Sequence, residues 1–165
     1  MKMLAKIVGA VVACLIVLLV VLRITGLDPH NRIPGLWLKG DLVTTPVDNW
    51  SFTDKIPEIK VQTRTWYMIP HSVTTYCTAY NGQLYLTSTY PKADQYPNGG
   101  RSWNSNVARD PHVRLKIGNQ LYDRTLSVVT DPAEKAAVLQ AKTKKYPQMR
   151  VSPKNTVVVF HVTSD

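Results

Sequence analysis

Cysteine is scarce in this chain. Only Cys14 and Cys77 occur in 165 residues, and Cys14 falls inside an apolar N-terminal run, so the remainder holds a lone thiol. That excludes a disulfide within the folded part and any cysteine-based zinc site, and it leaves cysteine usage silent on the redox compartment. Acids are also few, eleven against twenty lysines and arginines, for a net charge of +9. Paired carboxylates for hydrolysis find no support: nothing in the spacing of Asp48, Asp54 and Glu58, near Trp50, forces two of them onto one site, and Asp48 and Asp54 read most simply as turn formers. The four histidines, His30, His71, His112 and His161, are scattered without metal-ligand spacing. His71 and Cys77 cannot form a thiol–imidazole pair within one strand, since six extended residues span about 20 Å. No internal repeat and no low-complexity segment is present.

What is there begins with a leader. Residues 7–22 carry no charged or strongly polar side chain, Lys2 and Lys6 precede them and Arg23 follows. With flanks that snorkel, about twenty residues are available, enough to cross roughly 30 Å of hydrocarbon. A cleaved signal peptide would have a shorter apolar core and a small-residue site after Leu22, and a lipoprotein would follow Cys14 with a polar tether rather than eight apolar residues. The expectation is an uncleaved single-pass anchor over residues 1–25. The slight cation bias gives a cytoplasmic N-terminus and an extracytoplasmic domain, periplasmic or at the cell surface. Nucleic acid is therefore not an expected partner. The six cations from Lys135 to Lys154, without an intervening acid, suit anionic headgroups or a phosphate-bearing small ligand.

Residues 26–50, rich in Pro and Gly, read as an extended connector with one short strand near Trp37 to Val43, spacing a single domain, residues 51–165, from the bilayer. Ile59 and Val61 alternate with polar residues as in a half-buried strand. Asn81-Gly82 between the β-rich runs 73–80 and 83–90 marks a hairpin with a type I′ turn. Ser102 is placed to cap a short helix in which Trp103 and Val107 meet at i, i+4. Residues 112–117 and 121–129 flank Gly118-Asn119 as a second hairpin. Asp131-Pro132-Ala133-Glu134 is a helix start, Tyr146-Pro147 its stop, and residues 157–162 a last strand. Trp50 to Asp54 either closes a ligand pocket or plugs a barrel end. Tyr76, Tyr80 and Tyr85 are best accounted for by cross-strand packing.

The run from Arg101 through Trp103, Asn106, Asp110-Pro111, Val113 and Ile117-Gly118, with Leu121-Tyr122, Asp131-Pro-Ala-Glu134 and Lys145-Tyr146-Pro147, resembles the C-terminal half of the split β-barrel nitroreductases. These are dependent on FMN or a deazaflavin and related to the pyridoxamine phosphate oxidases. With the compatible upstream hairpin the likeness spans roughly residues 58–147. It implies a mainly β fold with minor α, a six-stranded split β-barrel behind one transmembrane helix, often dimeric. It also implies a flavin-type phosphate held by Thr87 and Ser88 at the end of a hairpin strand and by Lys92 and Arg101 around the following loop, with Trp103 near the ring system. His71, after Pro70, either meets a ligand at the barrel mouth or is a surface or capping histidine. The chain departs from the deazaflavin enzymes ahead of the first hairpin, where Trp66 to Ser72 stands in place of a Gly-rich basic segment.

The functional expectation is a membrane-anchored FMN- or deazaflavin-binding oxidoreductase of nitroreductase or flavin-reductase type, with a homodimer implied by the resemblance. The alternative is a non-catalytic, membrane-anchored barrel of the cell envelope that serves as a binding module, its basic C-terminal helix facing lipid or a partner.

Overall fold

The computed structural model describes residues 2–90, 102–149 and 154–164. Helix α1, Lys2–Thr25, has no buried residue and a mean hydropathy of 3.1 over its most apolar window. Its 24 residues make a rod of about 36 Å, long and apolar enough to cross a membrane.

The rest is one curled sheet. In chain order its strands are β1 (Asp41–Leu42), β2 (Ile59–Thr63), β3 (His71–Thr75), β4 (Cys77–Tyr80), β5 (Gln83–Tyr90), β6 (His112–Ile117), β7 (Gln120–Val128) and β8 (Thr156–Thr163). They lie in the order β3-β2-β6-β7-β8-β5-β4, with β1 added in parallel beside the start of β7. The two ends of that order, β3 and β4, are separated in the chain by Tyr76 alone. A sheet whose edge strands are consecutive pieces of one bent strand must wrap around on itself. Counting β3 and β4 as that one strand gives the six barrel strands, and β1 is an addition.

Local chemistry explains the turns. Asn81 and Gly82 take φ of 49° and 75° between β4 and β5, the left-handed pair that a type I′ turn demands. Gly118 takes φ 61° at the first position of the two-residue β6–β7 turn. Period-2 alternation then sends Ile59 and Val61 of β2, Leu84 and Leu86 of β5, Leu115 of β6 and Phe160 of β8 into one buried core. The intervening Tyr85 and Val159 form a second cluster with Val138 on the outer face. Over that face lies helix α3, Pro132–Lys145, capped by Asp131, whose carboxylate accepts from the Ala133 and Glu134 amides. Tyr85 donates to Glu134 at 2.8 Å.

Helix α2, Ser102–Arg109, pushes Trp103 and Val107 into the main core, and Asn106 Nδ2 donates to Thr63 Oγ1 at 3.0 Å. Trp50 is buried edge-on against Tyr122, with the Arg124 guanidinium 5.5 Å from its ring centre. Trp50 thus belongs to the main core, while Phe52 beside it is 45% exposed.

The stretch 26–50 is not a free spacer. Asp28 lies 2.7 Å from both Lys60 on β2 and Lys116 on β6, the Leu38 amide donates to Gln62 Oε1 at 2.7 Å, and Gly35 exchanges two backbone hydrogen bonds with Ser72 of β3. The reason is charge as much as apolar contact. Burial pushes the Asp28 carboxyl up, but the two ammoniums outweigh it and hold it below the ordinary carboxylate value.

Candidate functional site

The split in the barrel creates the candidate site. Strand β5 pairs with β4 only as far as Leu86 opposite Cys77, because the chain turns away at Tyr76. Beyond that point Thr87 and Ser88 still pair with β8 on one side, while on the other a pocket of about 170 Å³ opens, lined also by Thr75, Tyr76, Trp103 and Lys142.

Lys142 is the unexpected member. It comes from the last turn of α3, one turn after the buried Val138, and is only 8% exposed. Its Nζ donates to Thr87 Oγ1 at 2.7 Å, and among the described residues it has no carboxylate within ion-pair distance. Burial pushes its pKa below the ordinary lysine value. An ammonium carries three donors, and the bond to Thr87 occupies one. Ser88 Oγ in turn accepts from Asn104 Nδ2 at 2.7 Å. Each hydroxyl thus has its oxygen engaged and its proton left to donate. Two hydroxyl donors beside a desolvated cation form a receptor for an anionic oxygen group, where charge-assisted bonds are at their strongest. Asn104 Oδ1, buried without a partner among the described residues, would take a hydroxyl of the same ligand or a water.

The sequence-derived candidates divide. Thr87, Ser88 and Trp103 come together at this pocket. Trp103 is at the same time 2% exposed and packed 5.6 Å from Phe160. His71 lines a different hollow with Asn31, Arg32 and Pro34, and burial lowers its pKa. Lys92 and Arg101 lie outside the described residues. Lys142 was hidden in the basic run. The signal that could have exposed it is the four-residue spacing Val138, Lys142, Tyr146, which puts a cation on the buried stripe of α3.

The same run does not form a single solvated face toward lipid. Lys145 also turns inward, donating to the carbonyls of Thr53 at 2.7 Å and Cys77 at 2.9 Å. Tyr146 donates to the Cys77 carbonyl as well, at 2.8 Å. These bonds tie the end of α3 to β4.

No family model matches the chain, and no curated protein matches it. Solved structures do. A conserved hypothetical protein from Mycobacterium tuberculosis superposes with a TM-score of 0.52 at 16% identity, covering 78% of this chain and 85% of its own. The heme storage protein HutZ from Vibrio cholerae gives 0.52 at 10% identity, over 69% and 85%. An F420-H2 dependent reductase gives 0.48 at 19% identity, over 65% and 94%. At such identities the likeness speaks for architecture, and by architecture this chain is a split β-barrel protein, the fold of the group its sequence resembles.

Proposed function

We propose that this chain is a membrane-anchored oxidoreductase of nitroreductase or flavin-reductase type that binds FMN or a deazaflavin by its phosphate. In this reading Lys142, Thr87 and Ser88 hold the phosphate, residues 7–22 span the membrane with the N-terminus cytoplasmic, and the barrel is extracytoplasmic. The observation that carries it is the buried Lys142 ammonium with a neutral partner, set beside two hydroxyl donors. A desolvated cation of this kind is costly alone and is relieved by an anion. The flavin, when bound, supplies the hydride chemistry, and the protein supplies position and electrostatics. A volume of about 170 Å³ suits a phosphate and the start of its chain, not a tricyclic ring, so the ring extends toward a second copy of the protein in a homodimer.

A non-catalytic binding module of the envelope is the second reading. It is favoured by the burial of Trp103, which is 2% exposed and packed into the core 5.6 Å from Phe160. An absorbance spectrum of the full chain, with mass spectrometry of released ligand, separates the two. A flavin-type spectrum near one ligand per chain supports the oxidoreductase. A colourless protein that ignores added FMN and deazaflavin supports the module.

A further inference from the structure

Among the described residues, the β2–β3 connection carries the most exposed apolar cluster outside α1. Trp66, Tyr67 and Met68 are 79%, 52% and 87% exposed, three in a row. Nothing about them is loose: the Met68 amide donates to the Thr65 carbonyl at 3.3 Å, Thr65 Oγ1 donates to the Ile69 carbonyl, and Trp66 and Tyr67 pack edge to face at 5.3 Å. Met68 sits at φ 67°, a conformation disfavoured for a non-glycine residue. A short, held turn that shows two aromatics and a thioether to the outside costs solubility and needs a cover.

Its position names the cover. Met68 and Arg23, in the last turn of α1, line one cleft of about 570 Å³, together with Trp37 and Arg64. The route between helix end and turn is short and stiff. Leu27 bonds to Trp37 and Leu36 at 2.9 and 2.8 Å, and Gly35 bonds to Ser72 of β3, the strand that leaves the turn. A Cβ on Gly35 would lie 2.1 Å from the Leu27 carbonyl oxygen, so the layers touch. The turn is thereby held close to the end of α1.

We infer that Trp66, Tyr67 and Met68 insert into the headgroup–acyl boundary of the bilayer that holds α1, as a second membrane contact that fixes the barrel's tilt. This rests on the reading of α1 as an anchor. Trp and Tyr favour that boundary because each has an apolar body and a polar tip. Arg23, Arg64 and Arg109, all exposed, flank the turn, Arg109 through its hydrogen bond to the Arg64 carbonyl. Their charge suits anionic headgroups. The occupant is thus a lipid surface.

The test uses the full chain in nanodiscs of phosphatidylcholine and phosphatidylglycerol with lipids brominated near the top of the acyl chain. Of the four tryptophans, Trp50 and Trp103 are 3% and 2% exposed, which leaves Trp66 and the half-buried Trp37 open to quenching. The expected result is that Trp66→Phe removes about half or more of the bromolipid-quenchable emission, with an unchanged melting temperature. Equal quenching in Trp66→Phe and wild type, with Trp66 open to aqueous iodide, would overturn the inference while leaving the anchor intact. Release of the wild-type chain from membranes by alkaline carbonate would overturn both. A doubled mass that Met68→Glu halves, without lipid quenching of Trp66, would show that a second copy covers the turn, and would overturn it too.

Discussion

Replacing Lys142 with methionine keeps the length of the side chain and removes its charge, and two observables should then move in opposite directions. The wild-type ammonium is 8% exposed and bonded to the Thr87 hydroxyl, a bond to a charged group worth about 1.5–3 kcal/mol. Against it stands the cost of burying a cation without an acid, and swapping such a charge for a well-packed apolar group is commonly neutral or stabilising by about 1–4 kcal/mol. For the ligand-free protein the expected result of Lys142→Met is a gain of about 1 kcal/mol, a rise in melting temperature of roughly 2–4 °C for a domain of this size. For FMN or inorganic phosphate the loss of one charge-assisted contact of about 2 kcal/mol weakens binding roughly thirtyfold.

The pH dependence gives an internal check. The folded pKa of Lys142 is lowered from the ordinary 10.5. Below the folded value the lysine is charged in both states and the cost of burial is fully present. As pH rises through the folded value toward the unfolded one, the folded chain sheds its proton first and wild-type stability recovers. The advantage of the methionine variant should therefore be largest at neutral pH and fade in alkali. Thermal melts followed by circular dichroism, with calorimetric titration of FMN and phosphate, make the measurement. A melting temperature lowered by more than about 5 °C would make Lys142 a structural residue, and unchanged affinity would remove it from the site.

The remaining expectations concern the frame. Gly35→Ala would drive a Cβ to 2.1 Å from the Leu27 carbonyl oxygen; the connector should detach from β3 at a cost of about 1–3 kcal/mol, visible as faster proteolysis between residues 26 and 36. Asp28 and Asp123 have folded pKa values below the ordinary carboxylate value of 3.8, Asp28 through Lys116 and Lys60 against the opposing effect of burial, and Asp123 through the paired bonds from Arg114. Their stabilisation is present above the unfolded value and is lost as pH falls through the folded ones, so Asp28→Asn should flatten the acid limb of the stability curve, while an unchanged limb would count against the pairing. Asp131→Ala removes the α3 cap and should cost about 1 kcal/mol in urea unfolding.

Much of the local structure followed from short-range chemistry. Asn81-Gly82 and Gly118 mark turns because φ > 0 is cheap for those residues, and Asp131-Pro132 opens a helix because the Asp131 carboxylate can reach two amides. The apolar residues 7–22 declared a helix that can span a bilayer, and alternation set which side chains of β2 face the core. None of this required knowing what lies across the fold.

What depends on distant neighbours was hidden. Residues 73–80 read as one strand, and only closure of the sheet shows why Tyr76 must break it: β3 has to pair with β2 and β4 with β5 at opposite ends of the strand order. That break makes the gap beside Thr87 and Ser88. The prolines and glycines of residues 26–50 signalled extension, but not that Asp28 would find Lys60 and Lys116, the latter 88 residues away. Likewise the sequence supplied a run of lysines, and the packing of α3 on β4 and β5 decided that Lys142 and Lys145 turn inward. Propensity, turns and hydrophobic period are properties of a few consecutive residues and can be read from them; a buried cation, a split ladder and a turn held beside the end of α1 are properties of which distant segments meet.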